Sequence, residues 1–124
     1  MTSQFHLLNL QTKFLEVTDI LSGLNTPQKE AVTAVNGAVM VIAGAGSGKT
    51  RALTHRIAYM IQEGVNPFSI MALTFTNKAA KEMKDRIMQL VDPHAARNVW
   101  MGTFHSIFAK ILRDNLEVYS EWRI

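Results

Sequence analysis

From Gly37 onward, short apolar runs alternate with longer stretches in which apolar residues recur every three or four positions. Ala38-Val39-Met40-Val41-Ile42-Ala43 is short, continuous, partly β-branched and followed by glycines, which predicts a buried strand. Leu53, Ile57 and Ile61 then recur at a spacing of four, the mark of a helix that Gly64 and Pro67 close. Ile70-Met71-Ala72-Leu73-Thr74-Phe75 repeats the strand pattern. Asn77 can cap a helix whose Ala80, Met83, Ile87 and Val91 form one apolar face, with Lys78, Lys81, Lys84 and Arg86 mostly off it. Asp92-Pro93 stops that helix. Val99-Trp100-Met101 predicts a third, shorter strand, and Phe104, Ile107, Phe108, Ile111 and Leu112 mark a last helix. A β-α-β-α-β-α order implies a parallel sheet with right-handed crossovers, hence an α/β domain.

Upstream, Thr26-Pro27 predicts a helix start, with the threonine as cap and the proline at the first helical position, running to about Val35. Leu10, Phe14, Val17 and Leu21 stand at helical spacing. Residues 1–23 therefore read as an amphipathic helical extension leaning on the core, to which no chemistry is assigned. No internal repeat or low-complexity segment is present.

Composition narrows the class without naming a function. The 124 residues, 48% hydrophobic and 19% charged, suit one globular domain with a modest core. Cysteine is absent, which excludes thiolate chemistry and a disulfide framework and fits a reducing compartment. Net charge is +3, a balance that permits a polyanionic partner without demanding one. Met1-Thr2-Ser3-Gln4 has no basic run, and Glu16 and Asp19 interrupt the apolar positions after it, so no signal peptide is expected. No apolar run approaches the length needed to span a bilayer.

The strongest chemical signal is Ala43-Gly44-Ala45-Gly46-Ser47-Gly48-Lys49-Thr50. The phosphate-loop pattern is Gly, four residues, then Gly-Lys-Ser/Thr; Gly48-Lys49-Thr50 is intact while the first position holds Ala43. Alanine costs little there provided its φ stays negative. Gly44, Gly46 and Gly48 let backbone N–H groups converge on phosphate oxygens, and the helix that begins there adds its positive dipole end. Lys49 would reach the β- and γ-phosphates, and the Thr50 hydroxyl would ligate Mg²⁺. A glycine-rich turn with a chance Lys-Thr is the bland reading. The position between a strand pattern and a helix pattern argues against it, so ATP with Mg²⁺ is the expected ligand.

Three further segments stand in order around this loop: Leu24-Asn25-Thr26-Pro27-Gln28 before it, then Phe75-Thr76-Asn77-Lys78-Ala79-Ala80 and Gly102-Thr103-Phe104-His105-Ser106 after the second and third strands. Together the four resemble the opening motifs of the UvrD/Rep/PcrA-like superfamily 1 DNA helicases, across about Leu24 to Arg113. The resemblance implies a parallel-sheet P-loop NTPase (RecA-like) core, present in part, with residues 24–124 the N-terminal part of the ATP-binding motor domain. It implies that Gln28 reads the adenine edge, although Gln28 also fits a capping box if Asn25 is the cap. It implies that Arg51 stacks on the adenine ring, where the alternative is a solvated arginine.

The same resemblance assigns single-stranded DNA to Phe75, Thr76, Asn77 and Lys78, and to Thr103 and His105. Phe75 would stack on a base while Thr76, Asn77 and Lys78 hold phosphates; Thr103 and His105 would donate to phosphate. Locally, Phe75 also suits a core position, Thr76-Asn77 suits a helix cap, and His105 suits a structural role. His6, His55 and His94 are scattered and suggest no metal site.

A complete P-loop engine also needs an acidic Mg²⁺ partner, a carboxylate to activate water and an arginine finger. The family takes the first two from an Asp-Glu pair, and this chain contains no such pair. It is therefore expected to be an N-terminal fragment that binds nucleotide weakly and does not turn it over. The parent would be an ATP-dependent helicase on single-stranded DNA or a duplex/single-strand junction, moving 3′→5′ in repair or replication in the bacterial cytoplasm. The rivals are a helicase–nuclease subunit of double-strand-break processing, a P-loop small-molecule kinase and a non-catalytic nucleotide-binding module.

Overall fold

The computed structural model describes residue 4 and residues 20–116, so the helix expected over residues 10–21 lies outside the described residues except for its last two. Helix α1 (Thr26–Thr33) precedes a segment without regular secondary structure and the glycine-rich loop. Helix α2 (Lys49–Gln62) follows, then a 3-10 turn (Pro67–Ser69) and strand β1 (Met71–Thr74). Helix α3 (Asn77–Leu90), the short helix α4 (Pro93–Asn98), strand β2 (Trp100–Thr103) and helix α5 (Phe104–Asp114) complete the order. The fold is α/β.

Strands β1 and β2 pair in parallel, with Met71 opposite Trp100 and Thr74 opposite Thr103. A parallel pair needs a crossover long enough to return the chain to the same end, which α3 and α4 provide. The core lies between this pair and the helices: Ile57 of α2, Ile70, Ala72 of β1, Met83 and Ile87 of α3, Ala96 of α4 and Val99 are buried together. Met83 and Ile87 are the face that the spacing predicts for α3. In α2 only Ile57 of the predicted stripe is fully buried; Leu53 is exposed. Arg56 ties α2 to α1 by donating from Nη1 to the Ala31 carbonyl at 2.6 Å.

Four expectations are corrected. Residues 38–43, expected as a buried strand, take no regular secondary structure, and the described residues form only a two-stranded sheet. Met40 is 84% and Ile42 89% exposed. The apolar run is written for a strand covered on both faces, and none of the described residues supplies a neighbouring strand for it. The cap of α1 is Asn25 and not Thr26, and that of α3 is Thr76 and not Asn77. Each pair offers two capping residue types in succession, and the first of them takes the extended conformation that a cap requires. Finally, Asp92-Pro93 ends α3 but also opens α4, whose single buried residue is Ala96. Alanine is too weak an apolar signal to mark a helix of six residues by periodicity.

Candidate functional site

The glycine-rich loop leads from the segment before it into α2. Gly46 and Gly48 take positive φ, +74° and +81°, a region where L side chains are strained, whereas none of the described non-glycine residues does, Ala43 included. The alanine at the first position of the loop therefore sits in ordinary backbone, as expected. Gly48 is the N-cap residue of α2 with no side chain to cap it, so the first-turn N–H groups face outward as donors. Ser47 Oγ donates to the Gly44 carbonyl and closes the loop on itself. Lys49 Nζ donates to the Ala43 carbonyl at 2.7 Å, which folds the ammonium back across the loop mouth.

Gln28 joins α1 to this loop. Asn25 Oδ1 accepts from Gln28 N at 2.9 Å, and Gln28 Oε1 accepts from Asn25 N at 3.1 Å, a complete capping box. The same amide donates from Nε2 to the Gly48 carbonyl at 3.4 Å. Glycine at 48 is favoured by its φ, and a Cβ there would overlap that Nε2 and displace the Gln28 amide. Asn25, Gln28, Ala31, Ile42, Ala43, Ser47, Gly48, Lys49 and Ala52 line a cavity of about 240 Å³ between α1, the segment before the loop and the loop itself. Gln28 thus forms the capping box and lines the cavity in one conformation. Ala31 and Ala52 carry no chemical signal in the sequence, being small and apolar.

Arg51 lies apart from that cavity. Its guanidinium rests against Gly23, where an added Cβ would stand 3.0 Å from Nη2. Thr50 is exposed in the first turn of α2. Among the described residues no group of three or more His, Asp or Glu stands close enough to hold a metal ion.

The segments after β1 and β2 form a second edge. Thr74 and Thr103 are register partners, so the residues that follow them emerge side by side. Thr74 Oγ1 donates to the Thr76 carbonyl at 3.0 Å and reaches the Gly102 carbonyl at 3.4 Å, which stitches the two strand ends. Phe75 is 90% exposed, which excludes a core role, and its ring lies 5.3 Å from that of Phe104. Thr76 Oγ1 caps α3 by accepting from Ala79 N at 3.1 Å, while Asn77 and Lys78 are exposed in the first turn. Thr103 is only 9% exposed, and its Oγ1 accepts from Ser106 N at 3.2 Å as the cap of α5. His105 is exposed beside it. Phe75, Asn77, Lys78 and His105 are exposed on the segments that follow the paired strands, while Thr76 and Thr103 serve as helix caps.

An α/β chain with a glycine-rich loop opening a helix and an exposed edge at the strand ends has the build of a P-loop protein. The sequence model of the UvrD/REP helicase N-terminal domain matches residues 24–123. The chain is 54% identical over 99 residues to the ATP-dependent DNA helicase PcrA of Staphylococcus aureus, covering 79% of this chain and 13% of that protein. It is 52% identical over 99 residues, with the same coverage, to the ATP-dependent DNA helicase PcrA of Bacillus subtilis. Against the PcrA of Leuconostoc citreum the identity is 49% over 104 residues, 83% of this chain and 14% of that protein. The chain belongs to the UvrD/REP helicase family, in its N-terminal domain. It spans about an eighth of the length of the curated relatives it matches. A small-molecule kinase is set aside by that membership. No helix among the described residues is long and apolar enough to cross a membrane.

Proposed function

We propose that this chain is the ATP-binding part of an ATP-dependent DNA helicase or translocase, built on a RecA-like core and acting in repair or replication. The observation that carries the reading is the loop from Ala43 to Thr50, opening α2 with Gln28 bonded against Gly48, in a chain of this family. The donors suit a polyphosphate. Left-handed glycines and the free first turn of α2 present N–H groups, and Lys49 can exchange the Ala43 carbonyl for β- and γ-phosphate oxygens.

Gln28 can read adenine without leaving its present bonds. Its amide oxygen has accepted one hydrogen bond and its amide nitrogen has donated one. One lone pair and one N–H remain, the pair that the amino group and ring nitrogen of adenine require. Arg51 would swing from Gly23 to stack on the base. Thr50 would ligate Mg²⁺ through its hydroxyl; when bound, the ion neutralises charge on the phosphate oxygens.

The edge at Phe75, Asn77, Lys78 and His105 is assigned to single-stranded DNA or a duplex/single-strand junction, with 3′→5′ movement by resemblance. Phe75 supplies a stacking face, Lys78 and the first turn of α3 meet phosphate, and His105 donates beside them. Thr76 and Thr103 contribute by holding the helix starts that carry these groups. The test is titration of the 124-residue chain with a fluorescent ATP analogue and Mg²⁺, then with a labelled oligothymidylate. Saturable binding of both ligands is expected, the first lost in Lys49→Ala and the second weakened in Lys78→Ala. Binding of neither overturns the reading.

A further inference from the structure

We propose that Phe104 is a positioning residue for nucleobase stacking, acting through Phe75. The inference rests on the assignment of the Phe75 edge to single-stranded DNA and names a residue that the resemblance left without a role.

Phe75 follows the last residue of β1 and Phe104 the last residue of β2. Because Thr74 and Thr103 are register partners, the two rings leave the sheet at the same height. Their centroids lie 5.3 Å apart with 37° between the planes, a tilted contact within the range of favourable aromatic pairs. The rings differ in exposure: Phe75 is 90% exposed and Phe104 38%. One is presented to solvent and the other is half set into the surface beside it.

The setting of Phe104 is over-determined. Thr103 caps α5 through Ser106 N, and Thr103 Oγ1 also bonds Ser106 Oγ at 3.0 Å, which fixes the first turn that carries Phe104. Gly102 lets that turn sit close on the strand: a Cβ there would stand 2.8 Å from Ser106 Oγ and 3.1 Å from the Ile107 side chain. The backbone around Phe75 is held by the Thr74 Oγ1 bond to the Thr76 carbonyl and by the Thr76 cap, but its ring stands 90% exposed. An exposed phenylalanine side chain samples several χ1 wells. Contact with a fixed ring selects one of them, so a base meets a face already held in place. Preorganisation of this kind strengthens binding without adding a contact to the ligand.

The closing experiment measures affinity of the full 124-residue chain for a labelled oligothymidylate by fluorescence anisotropy. Thermal unfolding of each variant is followed in parallel. Phe104→Leu is expected to bind about three- to tenfold more weakly. Phe104→Tyr, which keeps the ring, is expected to bind like the wild type and serves if the leucine variant unfolds. In the Phe75→Ala background, Phe104→Leu should cause no further loss. On an abasic strand of the same length it should change nothing, and the salt dependence should stay that of the wild type.

An equal loss in the presence and absence of Phe75, or the same loss on the abasic strand, overturns the positioning role while leaving the DNA assignment intact. So does wild-type affinity in Phe104→Leu. Indifference of binding to both Phe75→Ala and Lys78→Ala removes the DNA assignment and the inference together.

Discussion

At Lys49 the demands of ligand and fold separate cleanly. The residue is exposed, and its ammonium bonds the Ala43 carbonyl at 2.7 Å. Lys49→Ala should therefore shift stability by no more than about 0.5 kcal/mol, as surface substitutions do. It should weaken binding of an ATP analogue at least about tenfold, because charge-assisted bonds to phosphate are lost. Equilibrium titration and chemical denaturation of the same sample check both halves. Gly48 behaves differently. With φ at +81° and the Gln28 amide where a Cβ would go, Gly48→Ala meets strain and overlap at once. A loss of about 1–2 kcal/mol is expected from the backbone alone, read as a lower denaturation midpoint. Nucleotide binding should fall with it, since Gln28 is displaced from the site.

Elements were legible in proportion to how locally they are determined. The helix α3 follows from its own spacing, and Met83 and Ile87 are buried as that spacing requires. The loop is legible because its geometry depends on glycines at 46 and 48 and on a strand-to-helix context, all within ten residues. What the sequence left open are choices between adjacent equivalents. Thr76 and Asn77 are both capping types, and only the backbone decides that Thr76 takes the extended conformation. The structural assignment has a measurable consequence: Thr76→Ala should cost about 1 kcal/mol, while Asn77→Ala, an exposed first-turn change, should stay within about 0.5 kcal/mol. Urea denaturation of the two variants distinguishes them. A larger loss from Asn77→Ala than from Thr76→Ala would return the cap to Asn77. The pairing of Phe75 with Phe104 belongs to the other kind of missing information. It depends on the register of β1 against β2, and register is set by contacts nearly thirty residues apart in the chain.

On the scale of the whole molecule, the segment before the loop and the core beneath β1 make a contrast. Both are apolar in sequence. Ile87 is fully buried in the cluster of α2, α3 and β1, whereas Met40 and Ile42 stand almost wholly in solvent. The continuous apolar run from Val39 to Ile42 reports the environment such a strand is suited to, two covered faces and two paired edges. Folding of this chain, however, gains stability only from surface that is removed from water in it. Ile87→Ala should therefore cost about 2–5 kcal/mol, through lost burial and the cavity left behind. Met40→Ser and Ile42→Ser should each stay within about 0.5 kcal/mol. Denaturant unfolding of the three variants measures the difference directly. A loss above about 2 kcal/mol at Met40 or Ile42 would mean that the segment is packed in solution, against the exposure described here. The glycine-rich loop is anchored accordingly: its α2 side rests on the core through Ile57, and its other side is held by Gln28 and the capping box of α1. Loop geometry should thus persist in Met40→Ser, whose affinity for the ATP analogue should remain that of the wild type.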